Sequence, residues 1–463
     1  MRDPGHSRHR SSLLLAAPLV ALMVALLVPA ALLPQTRLKD RAPATVSRSV
    51  TRAPADFASI DSLISVRAAE DAFSGVVAVA RNGRVVYERA AGIANRATAA
   101  PMRLDTQLQI ASITKLFTQI AILQLEEAGK LSLTDTVGKF LPDYPNRTVR
   151  SKVTVDQLLH HRSGVGSFWN PEFMKRHASI HTVADYLSLF DRDSLLFQPG
   201  TGEEYSNGGY VILGAIIERA SGQSYHDYIR THVFVPAGMT HTRPYDNRVH
   251  LAEAAVGYTS QTLGGPAPMD SRHAGVGPRP GMEKPNPSSA TAVAPSGDHP
   301  LVLRGPPSKG ADAAAPPPRM QLRIMGADGR ELSPDEARKA VVAQGRAGAG
   351  GRVARHPNTA SEAGTSGPAG DDYTTAGDFI KLAQALTSYQ LLDSARTAVV
   401  LGPQFQRGGE FRVGGGGPGV NAEFSISPSG YVVVVLSNYD PPAATTVAQF
   451  IRATVASPPT SEH

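Results

Sequence analysis

Ser112-Ile113-Thr114-Lys115 is the stretch that decides the fold, and apolar residues flank it on both sides. The apolar residues after it recur at helical spacing as far as Gly129, which predicts a helix that begins at the serine. Lys115 then lies on the same face as Ser112, one turn later. A helix N-terminus favours negative charge near the serine, and desolvation can lower a lysine pKa until it accepts the serine proton. The pattern indicates a serine nucleophile with a lysine partner, although an N-capping serine beside a solvated lysine would read the same way.

Two further segments carry chemistry downstream. The first, 205–207, reads Tyr-Ser-Asn and lies in a loop before an apolar helix predicted over 210–220. A tyrosine beside a lysine can move protons, and an asparagine can orient both the substrate and the lysine, although a loop tyrosine is as often simply packed. The second, 413–419, reads Val-Gly-Gly-Gly-Gly-Pro-Gly. In this order the three segments can supply a nucleophile, a base and an oxyanion site.

Other patterns predict a sheet built from both ends of the chain. Residues 75–80 and 84–87 read as two strands around an Asn-Gly turn, and 430–438 reads as a buried strand from its β-branched run. Helices are predicted near 60–66, over 155–161 and over 447–455.

With these segments the chain resembles the serine β-lactamase-like hydrolases, a family that includes class C β-lactamases, D,D-peptidases, D-amino-acid peptidases and esterases. The resemblance runs from about Phe57 to about Thr454, and residues 158–164 are similar to the family's Leu-Leu-x-His-x-Ser-Gly turn. It implies an α/β (α+β) fold of the β-lactamase/transpeptidase type, with a central antiparallel sheet flanked by helices. A mostly helical region from roughly 115 to 370 would close one side.

The resemblance also implies a role for each site residue and requires no metal or organic cofactor. Ser112 would be the acylated nucleophile, Lys115 its activating partner, Tyr205 the general base and acid, and Asn207 a contact of substrate and lysine. The oxyanion hole would be the backbone N–H of Ser112 and of one residue among Gly414, Gly415 and Gly416.

The third segment departs from the family pattern, which places Lys or His before its Thr/Ser/Gly-Gly pair. Counting back from Pro418-Gly419 puts Val413 at the basic position, whereas a slip by one residue would put Arg412 there. Successive strand side chains face opposite sides, so only one of the two can serve. We favour Val413, because the Pro-Gly spacing is then kept, and this weakens recognition of a substrate carboxylate.

Composition excludes several classes of protein. The chain has 463 residues and no cysteine, so disulfides, thiol nucleophiles and Cys-ligated zinc are excluded. The first 55 residues hold eight Lys/Arg and two Asp, which accounts for the whole net charge of +6 and leaves no basic nucleic-acid footprint on the rest.

No Gly-x-Ser-x-Gly elbow and no Walker or dinucleotide loop occurs. His160, His161 and His226 lack metal-ligand spacing, and the first two are interpreted as structural in their turn.

Residues 1–33 are interpreted as a signal peptide or signal anchor. Arg2, Arg8 and Arg10 precede an uncharged run from Leu13 to Leu33, which is long for a cleaved signal and just long enough to span a bilayer. The protein is therefore expected to be exported, periplasmic or extracellular, with membrane tethering through this run if it is not cleaved. Residues 34–55 read as a linker.

The hydrolase domain is predicted to comprise 56–261 and 368–463, separated by an insertion. No aromatic residue occurs in the 114 residues between Tyr258 and Tyr373, and Pro, Gly, Ala and Ser dominate there. Such a stretch has too little apolar surface to offset its ordering entropy, so 262–367 is predicted to be mostly disordered. A strand at 321–325 and a helix capped at Ser333 are the exceptions.

Two hypotheses of function follow. The first is an exported serine hydrolase that cleaves an ester, amide or D-peptide through a Ser112 acyl-enzyme. The alternative, motivated by Val413 and the insertion, is a catalytically impaired protein that binds peptidoglycan fragments or a protein partner. The sequence makes no prediction of oligomeric state.

Overall fold

The computed structural model describes residues 56–249, 251–261 and 354–456. The apolar run at 13–33, the linker at 34–55 and the strand and helix predicted near 321–325 and Ser333 lie outside those residues. None of the helices in the described ranges is long and apolar enough to cross a bilayer.

The strands of the described residues group into one large sheet and three short pairs. In chain order they are β1 (Gly75–Arg81), β2 (Arg84–Ala91), β3 (Ile93–Asn95), β4 (Ala100–Pro101), β5 (Leu108–Gln109), β6 (Tyr258–Thr259), β7 (His356–Pro357), β8 (Tyr373–Thr374), β9 (Phe411–Gly417), β10 (Val420–Ile426) and β11 (Tyr431–Ser437). The large sheet is five-stranded and antiparallel, in the order β2-β1-β11-β10-β9, so both chain ends contribute to it. The predicted fold class is confirmed, and the predicted hairpin corresponds to β1 and β2.

Both faces of the sheet are covered. In β1, Val77 and Val79 are buried on one face and Val76 and Ala78 on the other, as the two-residue period of a strand requires. The valine run of β11 divides between the two faces in the same way. Strands β1 and β11 are therefore apolar along most of their length, because side chains on each face reach one of the two cores.

Helices form the two covering layers. In chain order they are α1 (Asp56–Ala69), α2 (Thr114–Glu127), α3 (Val137–Phe140), α4 (Arg147–Lys152), α5 (Val155–Leu159), α6 (Pro171–Arg176), α7 (Val183–Leu187), α8 (Asn207–Ser221), α9 (Tyr225–Ile229), α10 (Ala376–Thr387), α11 (Ser394–Gln406) and α12 (Ala443–Ala456). The chain ends, α1 and α12, cover one face, where Ile60 and Ile64 meet Val447 and Ile451. Helices α2, α8 and α10 belong to the larger core on the other face.

The predicted C-terminal boundary of the insertion, at 367, is wrong for residues 354–367, which belong to the folded domain. Strand β7 pairs with β6, and a 3₁₀ turn (Asn358–Ser361) follows. Arg355 forms ion pairs with Asp71 and Asp440, at 3.7 and 3.4 Å, and lies 4.1 Å from the centre of the Tyr439 ring. The absence of aromatic residues misled the prediction because ion pairs, hydrogen bonds and small buried side chains hold this stretch in place.

Candidate active site

The nucleophile candidate lies on a 3₁₀ turn, Ala111–Ile113, that runs directly into α2. The helix was predicted to begin at Ser112, whereas in the structure α2 begins at Thr114, after that turn. Ala111 has φ of +45°, a value that side-chain-bearing residues seldom adopt. This turn leaves the Ser112 side chain partly exposed, whereas Ala111 and Ile113 are buried.

Lys115 is held beside the serine by three acceptors. Its side chain is in the first turn of α2 and the residue is only 7% exposed. Nζ lies 3.2 Å from Ser112 Oγ, 2.7 Å from Asn207 Oδ1 and 2.5 Å from the carbonyl oxygen of Ala369. An ammonium group has three N–H donors, so all three are engaged.

Tyr205 reaches the same serine oxygen from the loop before α8. Its hydroxyl donates to Ser112 Oγ at 2.7 Å. Lys115 Nζ lies 4.9 Å from the centre of the Tyr205 ring and 5.6 Å from that of Tyr210. The ammonium group therefore lies within cation–π distance of both rings.

Asn207 links the lysine to the mouth of the site. It is the first residue of α8, and the side chain of Ser206 caps that helix by accepting from the Gly209 N–H. The Asn207 amide accepts from Lys115 through Oδ1 and donates to Ser167 Oγ at 3.4 Å through Nδ2. The predicted contact with the lysine is present.

His161 contacts Tyr205, whereas the sequence predicted for it only a structural role in its turn. Its ring centre lies 4.7 Å from that of Tyr205. Its Nδ1 accepts from the N–H of Ser206, and its carbonyl accepts from the N–H of Glu204. His161 thus fixes the backbone on both sides of Tyr205. Burial and the charge of Lys115 lower the pKa of His161 to about 3, so the imidazole is neutral near pH 7.

The other two histidines considered from the sequence lie elsewhere. His160 contacts Asp156, and burial lowers the pKa of His226 to about 4. Across 56–249, 251–261 and 354–456, no group of three or more His, Asp or Glu side chains is arranged to hold a metal ion.

The predicted glycines lie on β9, an edge strand of the large sheet. A Cβ atom on Gly415 would come 2.1 Å from the carbonyl oxygen of Ile110 and 3.2 Å from the backbone nitrogen of Ser112. Only glycine permits this approach of the strand to the backbone at Ser112. An edge strand leaves some of its backbone N–H groups free of the sheet. Gly414–Gly416 therefore lie where a strand N–H and the Ser112 N–H can share an oxyanion.

Val413, the residue before the glycines, places an apolar side chain on the same face of β9 as Gly415. Val413 and Gly415 are two apart on one strand and so share a face, and Val413 packs against the larger core. Arg412 is on the opposite face, where it forms a 3.6 Å ion pair with Glu410. The valine, not the arginine, therefore faces the Ser112 side, in agreement with the favoured alignment.

The segment Ala369–Asp372 also contributes to the site, and the sequence did not indicate it. Beyond the Ala369 contact with Lys115, the Asp371 N–H donates to Ala111 O at 3.2 Å, and the Ile110 N–H donates to Asp372 O at 3.1 Å. These two bonds hold the segment against Ile110 and Ala111, the residues that directly precede Ser112. The contact joins residues 254 apart in the chain, so local pattern carried no signal for it.

Comparison with known proteins shows the family of this chain. The family model described as Beta-lactamase matches residues 60–456. Penicillin-binding protein 4* of Bacillus subtilis is 37% identical over 182 residues, covering 38% of this chain and 39% of that protein. Esterase EstB of Burkholderia gladioli is 34% identical over 200 residues, covering 39% of this chain and 50% of the esterase. The chain thus spans half or less of the length of these relatives.

A solved structure supports the fold over a longer stretch. The penicillin binding protein from Bacillus halodurans aligns with a TM-score of 0.59 at 24% identity, over 84% of this chain and 99% of that one.

Proposed function

Since this chain belongs to the beta-lactamase family, we propose that it hydrolyses an ester or small amide through an acyl-enzyme on Ser112. The observation that carries the proposal is the pair of contacts on one oxygen. Ser112 Oγ is 2.7 Å from the Tyr205 hydroxyl and 3.2 Å from Lys115 Nζ. A serine hydroxyl is a weak nucleophile until a neighbouring group takes its proton, and both neighbours are within reach.

The reaction would proceed in two halves. With Tyr205 in its tyrosinate form beside the Lys115 ammonium, Ser112 Oγ attacks the carbonyl carbon and its proton passes to the Tyr205 oxygen, which becomes the neutral phenol. The N–H of Ser112 and of a β9 glycine hold the carbonyl oxygen as it becomes negative. The leaving group departs with a proton from Tyr205. Water then attacks the acyl-enzyme and passes a proton to Tyr205, and Tyr205 gives that proton to Ser112 Oγ as the bond between Oγ and the acyl group breaks.

The substrate class follows from Val413. The side chain that faces the serine from β9 is apolar and cannot pair with a carboxylate. Arg412, on the other face of the strand, cannot replace it without breaking the strand alternation. An ester or amide without a carboxylate near the scissile bond therefore fits better than a β-lactam or a D-peptide with a free C-terminus. One relative named above is an esterase.

Export belongs to the same proposal. Three arginines ahead of the apolar run from Leu13 to Leu33 have the charge order of a signal segment. The protein would then act in the periplasm or outside the cell, tethered to the membrane if the run is retained.

The alternative function is that of a catalytically impaired protein that binds peptidoglycan fragments or a protein partner. The observation that favours it is also Val413. A catalytic site of this kind would use a basic residue at that position to bind its substrate, so the valine would impair turnover. The contacts of Ser112 with Lys115 and Tyr205 favour the hydrolase instead.

One experiment separates these functions. The full chain and its Ser112→Ala variant are exposed to a fluorophosphonate and to a penicillin, and intact mass reports the covalent adducts. We expect a fluorophosphonate adduct on the parent alone and little penicillin adduct. Rapid penicillin acylation would contradict the substrate class. Absence of any adduct on the folded parent would favour the binding-only alternative.

A further inference from the structure

One buried asparagine joins the edge strand β9 to the start of helix α12. Asn421 lies on β10 and is 4% exposed. Its Oδ1 accepts from the backbone N–H groups of Ala444 and Thr445, at 2.8 and 3.0 Å. Its Nδ2 donates to the carbonyl oxygen of Gly415 at 3.2 Å. Two N–H donors therefore face one end of the amide and a carbonyl faces the other, which fixes the orientation of the amide.

The carbonyl that Asn421 holds belongs to the glycine that lies against the nucleophile. A Cβ atom on Gly415 would be 3.2 Å from the backbone nitrogen of Ser112. A peptide bond is planar and trans, so the C=O of Gly415 and the N–H of Gly416 point in opposite directions. Because the carbonyl points towards Asn421 on β10, the N–H of Gly416 points towards the open edge of β9.

The register of the hairpin leads to the same direction. Strands β9 and β10 are joined by a two-residue turn directly after Gly417. The residues that flank such a turn form a hydrogen-bonded pair, and hydrogen-bonded and non-hydrogen-bonded pairs then alternate along the ladder. Gly415 falls in a hydrogen-bonded pair, so its N–H points at β10. Gly416 falls in a non-hydrogen-bonded pair, opposite Asn421, and its N–H points away from β10.

The end of β9 is held between two segments. Gly415 approaches Ser112 on one face of the strand, and Gly416 approaches Pro441 on the other, where a Cβ atom would lie 2.8 Å from Pro441 Cγ. The residue before that proline, Asp440, accepts from the N–H of the turn residue Gly419 at 2.8 Å. These contacts fix the position of the strand, and Asn421 fixes the rotation of the peptide between Gly415 and Gly416.

We propose that Asn421 is a positioning residue of the hydrolase. It holds the Gly415 carbonyl so that the N–H of Gly416 points at the substrate oxygen that becomes negative when Ser112 attacks. The proposal rests on the hydrolase function and adds to it a residue that does not touch the substrate. Donors that are already oriented stabilise developing charge without any rearrangement during the reaction. Loss of the Asn421 contact should therefore slow the chemical step and leave substrate binding nearly unchanged.

The test replaces Asn421 in the full chain. In Asn421→Asp the carboxylate keeps an acceptor for the two N–H groups of α12 but has no N–H for the Gly415 carbonyl. Asn421→Ala removes both contacts without adding a charge, and it serves as the second variant. Thr445→Val is the matched control. Thr445 Oγ1 contacts the same asparagine at Oδ1, 3.2 Å away, so its removal leaves the Nδ2 contact in place.

Each protein is assayed with 4-nitrophenyl acetate and with the thiono analogue, in which sulfur replaces the carbonyl oxygen. Sulfur is larger than oxygen and is a weak hydrogen-bond acceptor, so the thiono ester gains less from aligned N–H donors. The ratio of the two kcat/KM values therefore reports the oxyanion donors, and a general loss of stability does not change it. Thermal unfolding of each variant reports folding separately.

We expect both Asn421 variants to lower kcat for the oxygen ester about tenfold or more, with KM within a few fold, and to lower the oxygen-to-sulfur ratio by a similar factor. Thr445→Val should leave the ratio unchanged. An unchanged ratio in a folded Asn421 variant, or an equal fall in Thr445→Val, would overturn the proposal. Absence of turnover by the parent would reject the hydrolase and the positioning role together, whereas turnover with a ratio that does not respond to Asn421 would reject the positioning role alone.

Discussion

Replacing Tyr205 with phenylalanine tests the assignment of the proton carrier most directly. The variant removes one oxygen, the one 2.7 Å from Ser112 Oγ. It keeps the ring that contacts His161 and the ring face that Lys115 approaches. The fold is therefore expected to persist while the proton route is lost. General acid–base catalysis contributes about 10²–10⁴-fold in rate, so we expect kcat to fall by that factor, about 3–5 kcal/mol in barrier height.

Tyr210 provides a matched control in the same protein. Its ring also lies near His161, at 5.3 Å between centres, and near Lys115, at 5.6 Å. Its hydroxyl instead donates to the carbonyl of Leu159 at 3.2 Å. Tyr210→Phe should lower the free energy of unfolding by about 1–3 kcal/mol, because a buried carbonyl loses its donor, and it should leave kcat within a few fold.

The assay is hydrolysis of 4-nitrophenyl acetate by the full chain, with thermal unfolding of each variant measured alongside. The Ser112→Ala protein sets the background rate. Equal loss of kcat in the two phenylalanine variants would show that the effect is packing around the lysine. Full activity in Tyr205→Phe would show that Lys115 takes the proton without the phenol, and would refute the assigned role.

Three further predictions concern recognition, the insertion and pH. Val413→Lys should raise the rate of penicillin acylation by about tenfold or more, as measured by intact mass, because an ammonium on the serine side of β9 can pair with the substrate carboxylate. No gain in a folded variant would contradict the specificity argument. Replacing 262–353 with a short Gly-Ser turn should leave Tm and esterase activity nearly unchanged, because β6 and β7 already pair at the base of this segment. Extending the deletion to 367 should unfold the domain, since it removes the buried Asn358. Burial, and secondarily the charge of Asp371, raises the pKa of Asp372 to about 7, so the stability that this protonated group contributes is lost as pH rises through about 7. Asp372→Asn should therefore raise Tm more at pH 8 than at pH 5, and an equal change at both would refute the assignment.

Much of the fold could be predicted because its elements have local signals. The Asn-Gly turn between β1 and β2 and the β-branched run of β11 each indicate their structure within about ten residues. The alternation along β9 also allowed Val413 and Arg412 to be assigned to opposite faces from the sequence alone.

What the sequence did not reveal depends on contacts between distant segments. The Ala369 carbonyl meets Lys115 across 254 residues, and no periodicity records such a pairing. The stretch 354–367 was misjudged because its order comes from ion pairs and hydrogen bonds, whereas the prediction counted apolar surface.

The geometry separates activation of the serine from choice of substrate. Lys115 and Tyr205 come from α2 and the loop before α8, and they contact Ser112 Oγ without any help from β9 side chains. The strand approaches the nucleophile through the backbone of Gly415, where even a Cβ atom would clash. The side chain two residues earlier is therefore free to change, provided that it still packs against the core as Val413 does. A change from a basic residue to valine at this position would remove recognition of an anion but leave in place Ser112, Lys115, Tyr205 and the backbone of β9, the groups to which we assign nucleophile, proton transfer and oxyanion binding. For this reason Val413 argues for a change of substrate more strongly than for a loss of catalysis.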